Sequence, residues 1–436
     1  MTDITELNDN EKQNAAAEGP VKETLSDKDV TAHTASLWKY NPVPASPEPY
    51  PEYKNDCDKQ NGSEITAARV RGKKHKHEGT NCDDWYEYAR LGEWIIAAVS
   101  DGAGSKPLSR IGAKVSCEAV IANLKNEFSA VSEICPDIKT ALSKPFDNAD
   151  FTAICSKLAI LMQNSFGAAF SAVENAYIAR SNKAEFEESI GRKPELKDYS
   201  GTLLAAVIIP VERGEHFIIT VQVGDGMIAS VNADADFENA LRILGNADSG
   251  SFAGETEFLT SEQMRNADSL RSRTKIQRGK ISSLMLMTDG VADDYYPNNP
   301  QLLRLYLDLM LNGIIHFPTK QELLEKNSCT YADSNVKNEK LDVPAPVSYP
   351  WVNDSDVKYS LQYSKNIMSE SGLDLKGLWE RRFDDSVRSA RLKSFDISNG
   401  SDRSERLSVW LDNYVERGSF DDRTLLIINV LGRLNK

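Results

Sequence analysis

Apolar residues in this chain gather in short runs that end on turn chemistry. Trp94 to Ser100 (WIIAAVS) is such a run and stops at Asp101-Gly102, the pattern of a buried strand meeting a turn. Ser283 to Thr288 repeats it and stops at Asp289-Gly290. Leu203 to Val211 and Phe217 to Val223 are β-rich runs, and Glu212 to His216 between them, with Gly214, suits a hairpin. Thr424 to Val430 (TLLIINV) is the last predicted strand. Ile111, Val115, Ala119 and Leu124 fall at helical spacing within Leu108 to Phe128, and a second helical stretch covers Phe151 to Arg180. Hairpin-linked strands mixed with helices predict antiparallel sheets covered by helices rather than repeated βαβ units.

The two flanks of this pattern differ from its middle. Residues 1–62 are polar and have no sustained period, so they read as a disordered, Pro-rich acidic tail, and order is expected to begin near Ala67. Pro42, Pro44, Pro47, Pro49 and Pro51, flanked by Trp38, Tyr40, Tyr50 and Tyr53, read as a polyproline-rich linker. The same strip could dock on a partner or on the protein's own surface. Residues 63–436 are expected to form one domain. Within it, residues 297–418 separate the last two strands, too long a stretch for a structureless loop in a compact domain. They are read as an inserted subdomain or flap bordering the site, with helices over Gln301 to Phe317, about Leu373 to Ser394, and Ser404 to Val415, and a polar stretch over Asn327 to Asp356.

Composition removes several classes of function. A net charge of −14 opposes binding to a phosphate backbone, so no nucleic-acid partner is expected. No apolar run approaches the roughly 18 residues of a membrane span, and the N-terminus lacks a secretory signal, so a cytoplasmic location is expected. None of the six cysteines forms a C-x-x-C pair, and free thiols are expected.

The candidate chemistry is acidic. Asp83-Asp84, Asp101-Gly102, Asp289-Gly290 and Asp421-Asp422 each stand at a strand or loop end, and Asp225 lies between Gly224 and Gly226. A lone Asp-Gly is ordinary turn chemistry. As a set, carboxylates at the rim of a buried sheet repel one another unless cations neutralise them, and hard oxygen ligands suit Mg2+ or Mn2+.

ARVRGKKHKHEGTNCDDW, IIAAVSDGAGSKPLSRIGAKVSCEAV, DYSGTLLAAVI, FIITVQVGDGMIA, GETEFLT, LMLMTDGVADD and SFDDRTLLIINV occur in this order. Together they resemble the successive motifs of the PP2C-type (PPM) metal-dependent protein phosphatases, and most of all a bacterial subfamily with G-x-x-H and D-G-A-G-S. The resemblance implies an α+β fold, an αββα sandwich of two antiparallel sheets flanked by helices. It also implies a serine/threonine phosphatase that hydrolyses phosphoserine and phosphothreonine with water activated by two Mn2+ or Mg2+ ions. Asp101 would bridge both ions and Gly102 would offer its carbonyl to one. Asp289 and Asp421 would complete the other, and Asp83 occupies the family's first acidic position. Asp84 would orient the water, while Asp225 and Asp293 match positions that hold a third, weaker ion in relatives. The partners implied are a phosphoprotein substrate and, by analogy with bacterial relatives, a cognate serine/threonine kinase.

Two positions depart from the family pattern. The first acid is Asp83 where Glu or Gln is usual, and Gly79 stands where an Arg commonly grips the substrate phosphate. His75, with Arg71 and Lys74 beside it, is a candidate for that phosphate contact and equally for a structural role. The competing reading is a phosphatase-like binding or scaffold protein with weak catalysis. A Cys-x5-Arg phosphatase, an H-E-x-x-H protease and a P-loop are all absent from the sequence.

Overall fold

The computed structural model describes residues 39–134, 137–245, 256–311, 313–315, 403–413 and 420–430. The strands and main helices in chain order are β1 (Tyr53–Gln60), β2 (Ser63–Val70), α1 (Lys73–Glu78), β3 (Trp85–Leu91), β4 (Trp94–Ser100), α2 (Ser109–Ile134) and α3 (Ala149–Arg180). There follow β5 (Leu203–Pro210), β6 (His216–Val223), β7 (Met227–Val231), β8 (Leu241–Ile243), β9 (Thr274–Gly279), β10 (Ser283–Met287), α4 (Asn298–Leu311), α5 (Arg403–Asn413) and β11 (Arg423–Val430). All strand pairs are antiparallel. One sheet runs β1-β2-β11-β10-β7-β8 and the other β3-β4-β5-β6-β9.

The central strands are apolar over most of their length because both of their faces are buried. On β10, Leu284 and Leu286 enter the layer between the sheets, where they meet Ile95, Ala97, Val99, Ile428 and Leu426. Met285 and Met287 alternate to the opposite face and pack under α4 and α5, against Leu302, Tyr306 and Trp410. The outer face of the second sheet is covered by α2 and α3 through Ile111, Leu124, Phe166 and Val173. The result is the αββα sandwich of two antiparallel sheets between helical layers. No helix among the described residues is long and apolar enough to cross a membrane. Cys57, Cys82, Cys117 and Cys155 form no disulfide.

One boundary differs from that read in the sequence, and another meets the outer helical layer. Residues 53–60, placed in a tail, form β1 and pair with β2 from Tyr53↔Val70 to Gln60↔Ser63. This edge strand is polar, so its place comes from partners such as Asp58, which accepts from Arg90, and not from its own apolarity. Ahead of it, the proline-rich strip lies on the domain's own surface. Proline carbonyls have no neighbouring ladder to satisfy them, and buried arginines donate to them: Arg110 to Pro47 at 2.6 Å and Arg69 to Pro51 at 3.0 Å. Arg71 likewise donates to the Asn41 carbonyl at 2.9 Å, and Tyr50 is buried with its ring 5.4 Å from that of Trp85. Met1 to Trp38 lie outside the described residues.

The second boundary concerns residues 297–418. Both described ends of this stretch contribute to the outer helical layer: α4 and α5 share the core under the first sheet, and Trp410 Nε1 donates to Asp308 at 2.9 Å. The helix expected at 373–394 and the stretch 327–356 lie outside the described residues.

Candidate metal centre

Antiparallel pairing brings the acidic turns to one edge of the sandwich. Asp101 follows the end of β4, Asp289 follows β10, Asp421 precedes β11, and Asp225 occupies the turn from β6 to β7. The backbones of these turns are fixed by hydrogen bonds. Asp101 N–H donates to Thr202 Oγ1 at 2.8 Å, and Thr202 N–H returns one to the Asp101 carbonyl at 2.8 Å. Thr288 N–H donates to the Thr424 carbonyl, and Thr424 N–H to Thr288 Oγ1, both at 3.1 Å. The turns also approach closely. A Cβ on Gly290 would fall 1.9 Å from the Asp422 carbonyl oxygen, and one on Gly72 would fall 2.2 Å from the Asp421 carbonyl carbon. Only glycine allows this contact between the loops that carry Asp289 and Asp421.

Asp101, Asp225 and Asp289 each offer a carboxylate oxygen, and these oxygens lie within 4.8 Å of one another. Behind them Asp84 is fully buried. Its Oδ2 accepts from Thr424 Oγ1 at 2.7 Å and Thr288 Oγ1 at 2.9 Å, while its Oδ1 has no partner. Asp225 Oδ2 accepts from Thr256 Oγ1, and its buried Oδ1 also has no partner. Burial, and then repulsion from Asp289 and Asp84, holds the Asp101 carboxyl well above the usual carboxylate range. Burial, and then Asp225, Asp84 and Asp421, does the same to Asp289. Asp293 is pushed up by burial and by Asp225. Asp84 is pushed up to about 7 by burial and by Asp422.

A second acidic group surrounds His75. Its Nε2 lies 3.3 Å from Asp421 Oδ1, and its Nδ1 lies 3.1 Å from Asp422 Oδ2 and 2.6 Å from the Asn81 carbonyl oxygen. Burial works to lower the His75 pKa, but Asp422, Asp421 and Asp83 outweigh it and push it up to about 12. Conversely, burial works to raise Asp421, and the His75 hydrogen bond and charge, the Asp422 backbone and Lys74 hold it below the usual range. His75 thus ties Asp421 and Asp422 together, and one ligand atom from each of the three lies within 4.8 Å of the others.

These positions bear on each residue singled out in the sequence. Asp101, Asp225 and Asp289 come together, and Asp421 acts on both Asp101 and Asp289 from the same edge. Asp83 is not part of the three-carboxylate cluster. Its backbone N–H donates to Asp422 Oδ2 at 2.5 Å and its carboxyl faces Ser109 and Arg110, with burial and Asp422 pushing it up to about 7. Gly102 is pressed against Asp83, since a Cβ there would lie 2.7 Å from the Asp83 carbonyl oxygen. His75 has both ring nitrogens engaged by protein oxygens and is buried, which leaves no nitrogen for a phosphate. Asp422 was given no role by the sequence. It accepts from Gly72 N–H at 2.6 Å and from Asp83 N–H, and so ties together three loops of the site. The Asp-Asp doublet ahead of the last apolar run was its only signal.

The donor set fits hard divalent cations: it is all oxygen, includes two buried unpartnered carboxylate oxygens, and carries repulsion that a cation relieves. One consequence is a pH dependence of the metal-free protein. Asp101 and Asp289 have folded pKa values above their unfolded ones, so between the two the folded chain holds more protons and stability falls as pH rises. Melting in chelator is therefore expected to occur at higher temperature at pH 6 than at pH 8, and saturating Mn2+ should remove the share of that trend due to Asp101 and Asp289 while leaving the share due to His75, whose raised pKa acts in the same direction. Equal melting at both pH values without metal would contradict the repulsion.

Residues 71–321, more than half of the chain, match the family model described as Protein phosphatase 2C. The chain belongs to the protein phosphatase 2C family. Among solved structures it is similar to a bacterial serine phosphatase (10% identity, 84% of this chain and 97% of that one, TM-score 0.34). It is similar also to the serine/threonine phosphatase Stp1 from Staphylococcus aureus (10% identity, 90% and 99% covered, TM-score 0.32) and to the photosystem II phosphatase PBCP (10% identity, 85% and 99% covered, TM-score 0.34). These TM-scores are low, and membership of the protein phosphatase 2C family rests on the match over residues 71–321. No curated protein sequence matches the chain.

Proposed function

We propose that this chain is a metal-dependent protein serine/threonine phosphatase whose site is assembled from Asp101, Asp225, Asp289 and Asp421. The observation that carries the reading is the convergence of three carboxylates from three separate turns to within 4.8 Å. Two Mn2+ or Mg2+ ions held there would supply the Lewis acidity and positive charge that hydrolysis of a phosphate monoester by water needs. Asp101, in the cluster and repelled by Asp289, Asp84 and Asp421, would be the carboxylate that serves both ions. Asp225 and Asp293, close enough for one to raise the other's pKa, would hold a third, weaker ion. Asp84, with one oxygen held by two threonines and the other unpartnered, is set to orient a water. The substrate would be a phosphoprotein, and a cognate serine/threonine kinase would supply it.

The substrate phosphate needs a cation, and three were candidates. Arg71 is buried and donates to the Asn41 and His75 carbonyls, and His75 is committed to Asp421 and Asp422. Lys74 remains. Its backbone is anchored to the Phe420 carbonyl at 2.9 Å, its Nζ lies 3.8 Å from where a Gly104 Cβ would be, and it has no side-chain partner among the described residues. It thus stands beside the D-G-A-G-S loop, near enough to Asp421 to act on its charge but with no hydrogen bond from its ammonium.

The deciding experiment is turnover of a phosphoserine and phosphothreonine peptide panel by the full chain in Mn2+, against the same protein in chelator. Metal-dependent release of phosphate supports the reading. Metal binding without turnover favours the scaffold reading, which the withdrawal of Asp83 into structural contacts supports. For Lys74→Ala we expect KM for phosphopeptide to rise by about tenfold, the worth of one charge-assisted contact. Mn2+ affinity should be unchanged and Lys74→Arg should restore most of the loss. A wild-type KM in Lys74→Ala would remove Lys74 from the site.

A further inference from the structure

Away from the acidic edge the sandwich carries a cavity lined by cations, with Asp236 held by Asn239 on its rim. The cavity, of about 170 Å3, opens between the two sheets, where β7 and β8 of one face β9 of the other. Ser230 on its wall lies four residues from Gly226, roughly 13 Å along the strand from the acidic edge. Its lining includes Arg242, Arg278 and Lys280 and no carboxylate, in a protein of net charge −14.

The cations differ in their commitments. Arg278 is fixed: it donates to the Leu142 carbonyl at 2.8 Å and to the Lys144 carbonyl, it stacks on Phe146, and Glu215 lies 3.6 Å from its Nε. Arg242 has only a long 3.4 Å bond to Asn239 Oδ1, and Lys280 has no partner among the described residues. Amide donors stand beside them. Ser230 Oγ donates to Gln277 Oε1 at 2.8 Å across the two sheets, which occupies that oxygen and leaves the Gln277 amide with its Nε2 donors. Asn232 Oδ1 is taken by the Asp234 N–H at 3.1 Å, which leaves its Nδ2 as a donor.

We propose that this cavity is a second anion site, built for a phosphate group and separate from the carboxylate edge. Two uncommitted cations and two amide donors around one space suit a dianion with several acceptor oxygens better than a single carboxylate. At about 30 Å3 of liquid volume per water, the cavity has room for a tetrahedral oxyanion and part of its hydration. The anion could be free phosphate or a phosphorylated side chain of another protein, and both present the same oxygens. The site does not depend on what the acidic edge does, because its residues share none with it.

The test is calorimetric titration of the full chain in chelator with inorganic phosphate, and separately with a phosphoserine peptide and its unphosphorylated form. Chelator removes divalent ions from the acidic edge and leaves its carboxylates to repel phosphate. Saturable binding is expected for wild type and equally for Asp289→Asn. It should weaken by about tenfold or more in Arg242→Ala/Lys280→Ala, since two charge-assisted contacts are lost. Both side chains are exposed, so the double variant should melt like wild type. Binding of phosphate and phosphopeptide alike identifies the free anion as sufficient; binding of the phosphopeptide alone identifies a phosphorylated protein as the source. Equal affinity of wild type and the double variant, or no saturable binding of either ligand to wild type, overturns the proposal.

Discussion

Asp289→Asn is expected to bind Mn2+ at least about 100-fold more weakly than wild type, because loss of a direct ligand's charge exceeds the 10–100-fold effect typical of outer-shell changes. Turnover should fall with it. The fold should not suffer. Asp289 Oδ1 accepts from its own Gly290 N–H at 2.6 Å, and asparagine keeps an oxygen for that bond. Burial and the charges of Asp225, Asp84 and Asp421 all oppose ionisation of Asp289, so a neutral side chain relieves strain in the metal-free protein. The melting temperature in chelator should therefore stay level or rise, by about 2–4 °C for each kcal/mol of repulsion removed. Calorimetry and a thermal melt on the same sample read both effects. Wild-type Mn2+ affinity in Asp289→Asn would exclude it as a ligand, and a large drop in metal-free melting temperature would show that its charge is structurally needed.

Gly290→Ala should have the opposite signature without metal. The new Cβ would fall 1.9 Å from the Asp422 carbonyl oxygen and 3.1 Å from its carbon, which are backbone atoms that cannot swing aside. Relief requires the turn after β10 to separate from the segment before β11. Overpacking of this kind costs about 1–3 kcal/mol, so the melting temperature in chelator should fall. Mn2+ affinity should fall as well, although no ligand atom has been removed, because Asp289 and Asp421 sit on the two separating segments. The pair of variants thus distinguishes charge from placement: both lose metal, one with a stable metal-free fold and one without. If Gly290→Ala keeps the wild-type melting temperature and metal affinity, the close approach of the two loops is not what sets the site.

The central strands and the acidic turns that follow them could be read from residue order alone. A strand buried on both faces is mostly apolar, so β4, β5, β6, β10 and β11 announce themselves despite buried polar positions such as Thr220, Gln222 and Asn429, and Asp-Gly marks where two of them stop. The ordered motifs of the phosphatase family depend on that same local chemistry. Polar segments carry no such signal. β1 and the proline-rich strip are placed by the carbonyls and carboxylates they offer to Arg69, Arg71, Arg90 and Arg110, each supplied from a distant part of the chain. The same holds within the site. Asp421 and Asp422 are adjacent and chemically identical in sequence, yet one acts at the cluster edge and the other clamps Gly72 and Asp83. Asp83 and Asp84 divide in the same way, and of Arg71, Lys74 and His75 only the Lys74 side chain makes no hydrogen bond or ion pair among the described residues. Which carboxylate faces a cation and which a backbone amide is decided by groups hundreds of residues away, and such choices belong to tertiary structure because neither residue type nor local period encodes the partner.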